Sequence, residues 1–408
     1  MMKKNMDLHT FIKMNLSVLD RLYDEKLGAF NRKIYAYNKL VPLVKPFGGF
    51  GVIPFHFMHL PRLYESIKID PTKDLKYIGH ACVGLLWYII MLGEKHRDYQ
   101  AYQNKVKSCI RFLSSYRDPE GYLRCRYVLT NHQEMRTDFR SIAESTNAFL
   151  WAAQIACNLN LFKERVINER IDSALKWLLN NKKFLIPQEK ARLVYALAQV
   201  YGLRNDRDLL VSMESIGQDL ISELTHYRSF SYFSDNIDAV GALSILYLFT
   251  KNPLFRDFSR RLVHNLIKTQ GSEGTWRWRF RRSNGKYIPL LDVTYTVHQL
   301  GMAPFALTLY LSICNINDLS YVAESIQKGI LWVAEKRAFT EHFIIRSFSG
   351  LSGAIFEFEQ RSYEPGLNIL GLLSYNLFKH NEKLDPLNLI FPWAVDKKVI
   401  LPSRRFYR

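Results

Sequence analysis

Two kinds of helical segment alternate along this chain of 408 residues, and the alternation limits the folds open to it. One kind has apolar residues at i, i+3, i+4 and i+7 and a charged opposite face, which water can cover. The other kind is apolar almost all round and needs protein on nearly every side. The amphipathic segments are 100–115, 164–180, 206–225, 254–269 and 320–337, and the apolar segments are 79–93, 145–158, 191–201, 238–250, 297–313 and 365–378. This pattern predicts an all-α protein with an inner layer of helices wrapped by an outer layer.

An open α-solenoid would give a similar pattern, because both architectures stack helix pairs. We favour a closed (α/α)6 toroid, because the chain has six apolar segments. A polar residue lies at or just before the start of each apolar segment, 45 to 66 residues after the previous one, which leaves room for one inner helix, one outer helix and their loops. These residues are His80, Glu144, Glu189, Asp238, His298 and Glu364. We expect a single domain over 1–408, with an N-terminal cap over 1–70, where VKPFGGFGVIPF indicates an ordered loop, and a basic C-terminal tail over 380–408.

A second repeat consists of a turn glycine followed by an aromatic residue or leucine and then by arginine. It occurs at Gly28, Gly121 and Gly274, each after an acidic loop. The alternation in YLRCRY and TWRWRF is typical of short strands with one apolar and one cationic face. We therefore expect short β-like arms on one rim of the toroid.

With Gln270, Gly274 and Trp276 in the pattern Q-x3-G-x-W, the chain resembles the six-hairpin (α/α) toroid superfamily over residues 70–380. That superfamily includes terpenoid cyclases, protein prenyltransferases, polysaccharide lyases and glycosidases. The DxDD and DDxxD motifs of terpene enzymes are not in the sequence, and neither the zinc ligands of prenyltransferases nor those of lanthionine cyclases can be mapped. No single family is assigned from these residues.

The formal net charge of +18 favours anionic partners, such as an anionic glycan, a diphosphate-bearing substrate or a membrane surface. Nucleic acid is a weaker expectation, since it rests on a few arginines of the WRWRFRR loop. Five scattered cysteines and an N-terminus without a secretory apolar region predict a cytoplasmic protein without disulfides. His56 and His59 stand at i and i+3 but lack a third ligand, so no metal site and no cofactor is predicted. The oligomeric state is left open.

The densest polar cluster is DVTYTVHQLGMAP, in which Tyr295, His298 and Gln299 would project from one face of a helix. Such groups on an apolar helix need partners or a function. One interpretation is a hydrogen-bonded network that joins inner helices. The other is a pocket wall in which Tyr295 and His298 are the acid and base groups.

The other candidate residues also have structural alternatives. Glu144 and Ser145 would cap a helix, Asp235 would do the same near Asp238, and Glu364 precedes a proline at a helix start. His80 is expected to be a core or capping histidine with its hydrogen bonds satisfied. The candidate catalytic residues are Tyr295, His298, Glu144, Asp238 and Glu364, and the candidate substrate-binding residues are Arg277, Arg279, Asn147, Gln299, Trp276 and Trp278.

Three functions follow from these expectations. The first is a carbohydrate-active enzyme, because aromatic residues make up 14% of the chain and can stack on sugar rings, while arginines can bind a uronate or phosphate. A lyase or epimerase would use Arg279 with Asn147 or Gln299 to neutralise the substrate carboxylate. Tyr295 and His298 would remove the C5 proton and return a proton. An inverting hydrolase would need two facing carboxyls among Glu144, Asp238 and Glu364. The alternatives are an isoprenoid cyclase or prenyl-chain enzyme and a non-catalytic basic scaffold.

Overall fold

The structure, a computed structural model, describes most of the chain. The described residues are 8–37, 66–93, 96–162, 165–226, 230–283, 286–290, 292–314, 319–335, 343–349, 355–357, 359–380 and 385–394. The glycine- and proline-rich stretch VKPFGGFGVIPF, the pair His56 and His59, and the final basic residues 395–408 lie outside these ranges.

The described helices follow the predicted alternation of inner and outer elements. They are α1 (Leu8–Leu22), α2 (Leu75–Leu92), α3 (Tyr99–Ser115), α4 (Phe139–Asn158), α5 (Arg165–Asn181), α6 (Pro187–Arg204), α7 (Arg207–His226), α8 (Phe233–Thr250), α9 (Pro253–Lys268), α10 (Ala303–Cys314), α11 (Leu319–Glu335), α12 (Tyr363–His380) and the short α13 (Pro386–Ile390). From α2 to α12 the even-numbered helices form the inner layer. Each packs against the next, and α12 returns to pack against α2. The closed toroid predicted from the sequence is confirmed.

Glycines allow the ring to close at the contact between α2 and α12. A Cβ atom on Gly84 would lie 2.0 Å from the carbonyl oxygen of Gly366, so the two backbones touch where the helices cross. The first inner helix, α2, is also long and apolar enough by length and composition to cross a membrane, and 72% of it is buried inside the protein. It is a core helix of the ring.

The outer layer is made of the odd-numbered helices α1 to α11, each packed on an inner helix. Within the segment expected to be an N-terminal cap, Leu8–Leu22 forms one of these helices and packs on α12, at the other end of the chain. At the far C-terminus, α13 and the residues after it close one end of the ring. Gln199 near the end of α6 donates to the Ile390 carbonyl at 2.6 Å and accepts from the Trp393 indole at 2.8 Å.

Short antiparallel strands lie in the connections from outer to inner helices, except between α5 and α6, where the described residues form a 3₁₀ turn over Lys182–Phe184. They are β1 (Tyr23–Asp24), β2 (Ala29–Phe30), β3 (Lys33–Tyr37), β4 (Ser66–Asp70), β5 (Lys73–Asp74), β6 (Tyr127–Val128), β7 (Phe230–Tyr232), β8 (Arg279–Ser283), β9 (Lys286–Pro289), β10 (Val293–Tyr295), β11 (Ser347–Ser349), β12 (Ile355–Glu357) and β13 (Glu359–Arg361). In the described residues they pair as β1-β2, β5-β6, β7-β8-β9, β10-β11-β12 and β13-β3-β4. The last sheet joins the N-terminal and C-terminal parts of the chain, with Ile34 opposite Gln360.

The three repeat glycines occupy equivalent places in these rim arms. Gly28, Gly121 and Gly274 have φ of +65°, +109° and +99°, the left-handed region that favours glycine. A Cβ atom on each would meet the middle of the next outer helix, at Ser108, Ser173 and Lys328 respectively, 2.5 to 3.1 Å away. The glycine therefore lets each arm turn against the neighbouring hairpin, which explains the repeat as a packing device.

The inner helices α4 and α8 begin six and five residues earlier than the sequence suggested, at Phe139 and Phe233. The N-cap of α4 is Asp138, whose carboxylate accepts from the Ser141 amide at 2.8 Å, so Glu144 and Ser145 lie inside the helix and cap nothing. Likewise α8 begins at Phe233, which leaves Asp235 buried in its first turn. The polar residues interrupted the apolar pattern but not the helix, because their side chains find partners across the ring.

Candidate active site

The polar side chains of the inner helices converge at the end of the ring where these helices begin. We call this end the bowl. Its residues come from the first three turns of the inner helices and the turn before α10, with one arginine from the segment before β11: Lys76, His80, Glu144, Asn147, Glu189, Arg192, Asp238, His298, Arg346 and Glu364. All three predicted catalytic carboxylates, Glu144, Asp238 and Glu364, belong to it, and each is at most 4% exposed.

One half of the bowl is a row of alternating charges across four inner helices. Lys76 of α2 lies 3.0 Å from the carboxylate of Glu144 and 2.8 Å from that of Glu189. Arg192 lies 3.3 Å from Glu189 and 2.9 Å from Asp238 on α8. Each acid therefore lies between cations, or beside one, along the first half of the ring.

The other half is built around Arg346. Its guanidinium pairs with Glu364 at 2.8 Å and also bonds to Glu357. Arg361 donates its backbone amide to Glu364 at 2.9 Å and its Nη1 to the Tyr77 hydroxyl at 3.0 Å. Tyr77 lies on α2, so this hydrogen bond links the second half of the ring to the helix that carries Lys76.

Burial and the arginines act in opposite directions on these acids. Burial raises the pKa of Asp238 and of Glu364, although Arg192 and Arg346 each oppose the shift. At Glu189 burial alone would raise the pKa, but Lys76 and Arg192 outweigh it and the pKa is lowered. Breaking one of these pairs would leave a charge in a dry environment, which is expensive.

Asn147 faces the same row. Its amide nitrogen donates to the backbone oxygen of Glu189 at 2.9 Å and to the side-chain carboxylate at 3.3 Å. Its Oδ1 is buried without a hydrogen-bond partner. That oxygen is a hydrogen-bond acceptor without a donor in the structure.

His298 is a neutral imidazole between two aromatic rings. Its ring centroid lies 4.7 Å from that of Phe233 and 5.3 Å from that of Tyr295. Burial, together with the positive charges of Arg346 and Arg192, lowers its pKa to about 3. Its Nδ1 is buried without a hydrogen-bond partner, so His298 carries an unused acid-base position.

His80 differs from the expectation of a satisfied core histidine. It is fully buried on α2, 6.2 Å from Trp151 between ring centroids, and neither ring nitrogen has a hydrogen-bond partner. Burial lowers its pKa well below the usual value, with Arg192, Lys76 and Arg126 adding to the shift. Both bowl histidines are therefore neutral, and the positive charge of Arg192 lowers the pKa of each.

The predicted helical face of Tyr295, His298 and Gln299 is not what the structure shows. Tyr295 ends strand β10, and a π-helical turn over His298–Met302 precedes α10. The wider turn directs Gln299 away from the bowl, where its amide pairs with the backbone of Trp276 at 3.3 and 3.4 Å. Tyr295 and His298 still meet, because the strand and the turn bring their rings together.

Trp276 and Arg277 belong to the rim arm. Trp276 is fully buried and donates its indole N–H to the Leu266 carbonyl at 3.2 Å. The Arg277 guanidinium is 2.5 Å from Glu273 and 2.7 Å from Asp292. These contacts hold the Q-x3-G-x-W arm in place, so packing explains why Trp276 and Arg277 stand in the motif.

Trp278 and Arg279 lie nearer the bowl. The Trp278 ring is 5.5 Å from Tyr232 and 5.8 Å from Tyr295, and the Arg279 guanidinium lies 5.6 Å above Tyr232. The guanidinium of Arg346 lies over the Tyr295 ring, 4.6 Å from its centroid. Together they form an aromatic wall beside His298.

Below the bowl the axis of the ring is filled with side chains. A cavity of about 10 Å³ lies among Trp151, Tyr195, Phe305 and Asp238, room for about one water molecule. Within the described ranges, no three His, Cys, Asp or Glu side chains are grouped as metal ligands. The chemically usable groups of the bowl are thus two neutral imidazoles, several fixed cations and an amide oxygen.

Lys76, Arg192 and Arg346, the cations that organise this site, were not among the predicted site residues. Arg192 interrupts the apolar run ARLVYALAQV, and Arg346 interrupts FIIRSF. A single arginine inside an apolar segment needs a buried partner, so this pattern could have identified both.

A comparison with protein-family models and with curated protein sequences gave no match. Among solved structures, the cellobiose 2-epimerase of Bacillus thermoamylovorans is similar with a TM-score of 0.60 and 11% identity, covering 90% of this chain and 98% of that one. A D-mannose isomerase gives a TM-score of 0.61 at 10% identity, with 90% and 97% covered. The unsaturated glucuronyl hydrolase of Bacillus sp. GL1 gives 0.57 at 9% identity, with 90% and 96% covered.

These similarities extend over nearly the whole of each chain and define the class of the fold. The protein is an (α/α)6 toroid of the kind on which sugar epimerases, a sugar isomerase and glucuronyl hydrolases are built. The identities of 8 to 11% show the fold alone.

Proposed function

We propose that this protein is a carbohydrate-active enzyme that moves a proton at the carbon next to the carbonyl group of an open-chain sugar. Such an enzyme is an epimerase or an isomerase. The observation that carries the proposal is the pair of neutral, buried imidazoles, His80 and His298, both with unpartnered ring nitrogens and both in the field of Arg192.

The chemistry requires one group that takes the C2 proton, one that returns a proton, and a positive charge beside the developing enediolate oxygen. His298 would take the C2 proton as a base. His80 would return a proton after it has itself taken one from solvent water beside the negative charge of the enediolate, and Arg192 or Arg346 would supply the positive charge. A free imidazole with a pKa near 3 is a weak base. An enediolate that forms beside it stabilises the imidazolium, so its basicity rises as the reaction proceeds.

Hydrolysis with inversion has less support. It needs one carboxylic acid and one free carboxylate that face each other across the sugar. Here Glu144 is paired with Lys76, Asp238 with Arg192 and Glu364 with Arg346.

The aromatic wall of Trp278 and Tyr295 offers a stacking face for the sugar, and the unpartnered Oδ1 of Asn147 offers a hydroxyl acceptor. Preference for an anionic sugar and a location in the cytoplasm stay predictions.

Incubation with reducing sugars in D₂O tests the reaction class. The panel contains D-glucose, D-mannose, cellobiose and D-glucuronate, followed by proton NMR. We expect the C2 proton signal of at least one sugar to disappear while the epimer or ketose appears. Cleavage of a glycosidic bond without deuterium at C2, or no change in any sugar, would contradict the proposal.

A further inference from the structure

A second feature at the same end of the ring has the composition of a sugar site. A groove of about 470 Å³ lies outside the bowl, between the start of α4, the end of α5 and the Gly121 arm. We call it the rim groove, and its lining residues are Glu120, Phe139, Lys176, Trp177, Asn180 and Asn181.

Phe139 and Trp177 line the rim groove, and the rings of Phe184 and Tyr122 pack against them. Phe139 and Phe184 are each 42% exposed, and their ring centroids are 4.6 Å apart. Trp177 lies beneath them, 5.2 Å from Phe139 and 5.1 Å from Tyr122. The two half-exposed rings form an apolar surface patch over Trp177, and apolar patches bordered by polar groups are typical of binding sites.

The edges of the groove are polar. Glu120, Lys176 and Asn180 are exposed around the rings, and Asn181 is held in place because its amide donates to the Trp177 carbonyl at 2.9 Å. A flat apolar face bordered by a carboxylate, an amide and an ammonium group matches a pyranose ring. Such a ring presents C–H bonds on its face and hydroxyls at its edge.

The rim groove and the bowl are connected along one helix. Phe139 is the first residue of α4, and Glu144 of the bowl lies five residues later, about 7.5 Å along the helix axis. Between them Arg140 reaches from an exposed position to Glu144, at 3.1 Å. A chain of sugars could therefore pass from the bowl over Arg140 to the groove.

We propose that the rim groove is a second sugar-binding subsite, which stacks one ring of an oligosaccharide whose reducing end lies in the bowl. This inference rests on the proposed function for the bowl end of the ligand. It implies that the physiological substrate is an oligosaccharide or polysaccharide end, and that a monosaccharide uses only part of the site.

Calorimetric titration of the intact protein tests the subsite with two probes, cellotetraose and a hyaluronan tetrasaccharide, which separate neutral from acidic recognition. Phe139→Ala and Phe184→Ala remove half-exposed rings. Leu254→Ala, 44% exposed on α9, is the matched control. We expect the wild type to bind at least one probe, the two phenylalanine variants to bind it about tenfold more weakly, and the control to bind within twofold of wild type.

The outcomes separate the subsite from the reaction. One outcome is a protein that binds a tetrasaccharide in a way that depends on Phe139 and yet shows no C2 exchange. That result would support the subsite and contradict the proposed reaction. Failure of the wild type to bind either probe, or equal binding by the wild type and both phenylalanine variants, would overturn the subsite.

Discussion

Replacing His298 or His80 by glutamine is expected to lower the rate of epimer formation by a factor of about 10² to 10⁴. Glutamine keeps a polar side chain but cannot accept and release a proton at neutral pH. In the proposed reaction each imidazole serves one face of the sugar. One variant should therefore lose C2 exchange completely, while the other keeps exchange with solvent and loses formation of the epimer.

His226→Gln is the matched control, because His226 is exposed at the end of α7 and bonds only to the Ser222 carbonyl of its own helix among the described contacts. Its turnover should stay within twofold of wild type. The unfolding midpoint of each variant shows whether lost activity reflects lost folding. If both bowl variants fold normally and exchange the C2 proton at the wild-type rate, the histidines are not the acid-base groups.

Replacing Arg192 by methionine is expected to lower the free energy of unfolding by about 3–5 kcal/mol. Arg192 is 4% exposed and lies between Glu189 and Asp238. Without it Asp238 would lose the cation with which it is paired, in a site where burial already raises its pKa. Glu189 would keep Lys76 at 2.8 Å, so Asp238 accounts for most of the loss.

Two further variants show that burial causes the effect. Arg204→Met removes the partner of Asp172 at the surface, where the side chains are 41% and 54% exposed, and should cost less than about 1 kcal/mol. The double variant Arg192→Met, Asp238→Asn removes both charges and should recover much of the loss. Chemical denaturation measures all three. A loss below about 1 kcal/mol for Arg192→Met would contradict a tightly balanced bowl.

The architecture could be predicted because it follows from burial. Helices such as 79–93 and 365–378 have no polar face, so other helices must surround them, and six of them close a ring. The helix starts were less predictable. Glu144 and Asp238 look like boundaries in the sequence, but ion pairs with residues of other helices allow them to lie inside α4 and α8.

The site was predictable only in part, because its partners are distant in sequence. Tyr295 and His298 were placed together correctly, but the π-helical turn sends Gln299 to the Trp276 backbone, and residue spacing alone cannot show this. The role of Arg346 depends on a loop that reaches Glu364 and Tyr295. His80 was expected to be satisfied, and only the packing around it reveals two unpaired ring nitrogens.

The most direct test of a shared site at the ends of the inner helices is a crystal structure of the protein soaked with the sugar that exchanges in D₂O. We predict the sugar in the bowl, with C2 about 3–3.5 Å from a ring nitrogen of His298 or His80 and an oxygen on Arg192 or Arg346. Sugar bound elsewhere, with the ion pairs of Arg192 and Arg346 unchanged and the bowl filled only by its own side chains, would contradict the account.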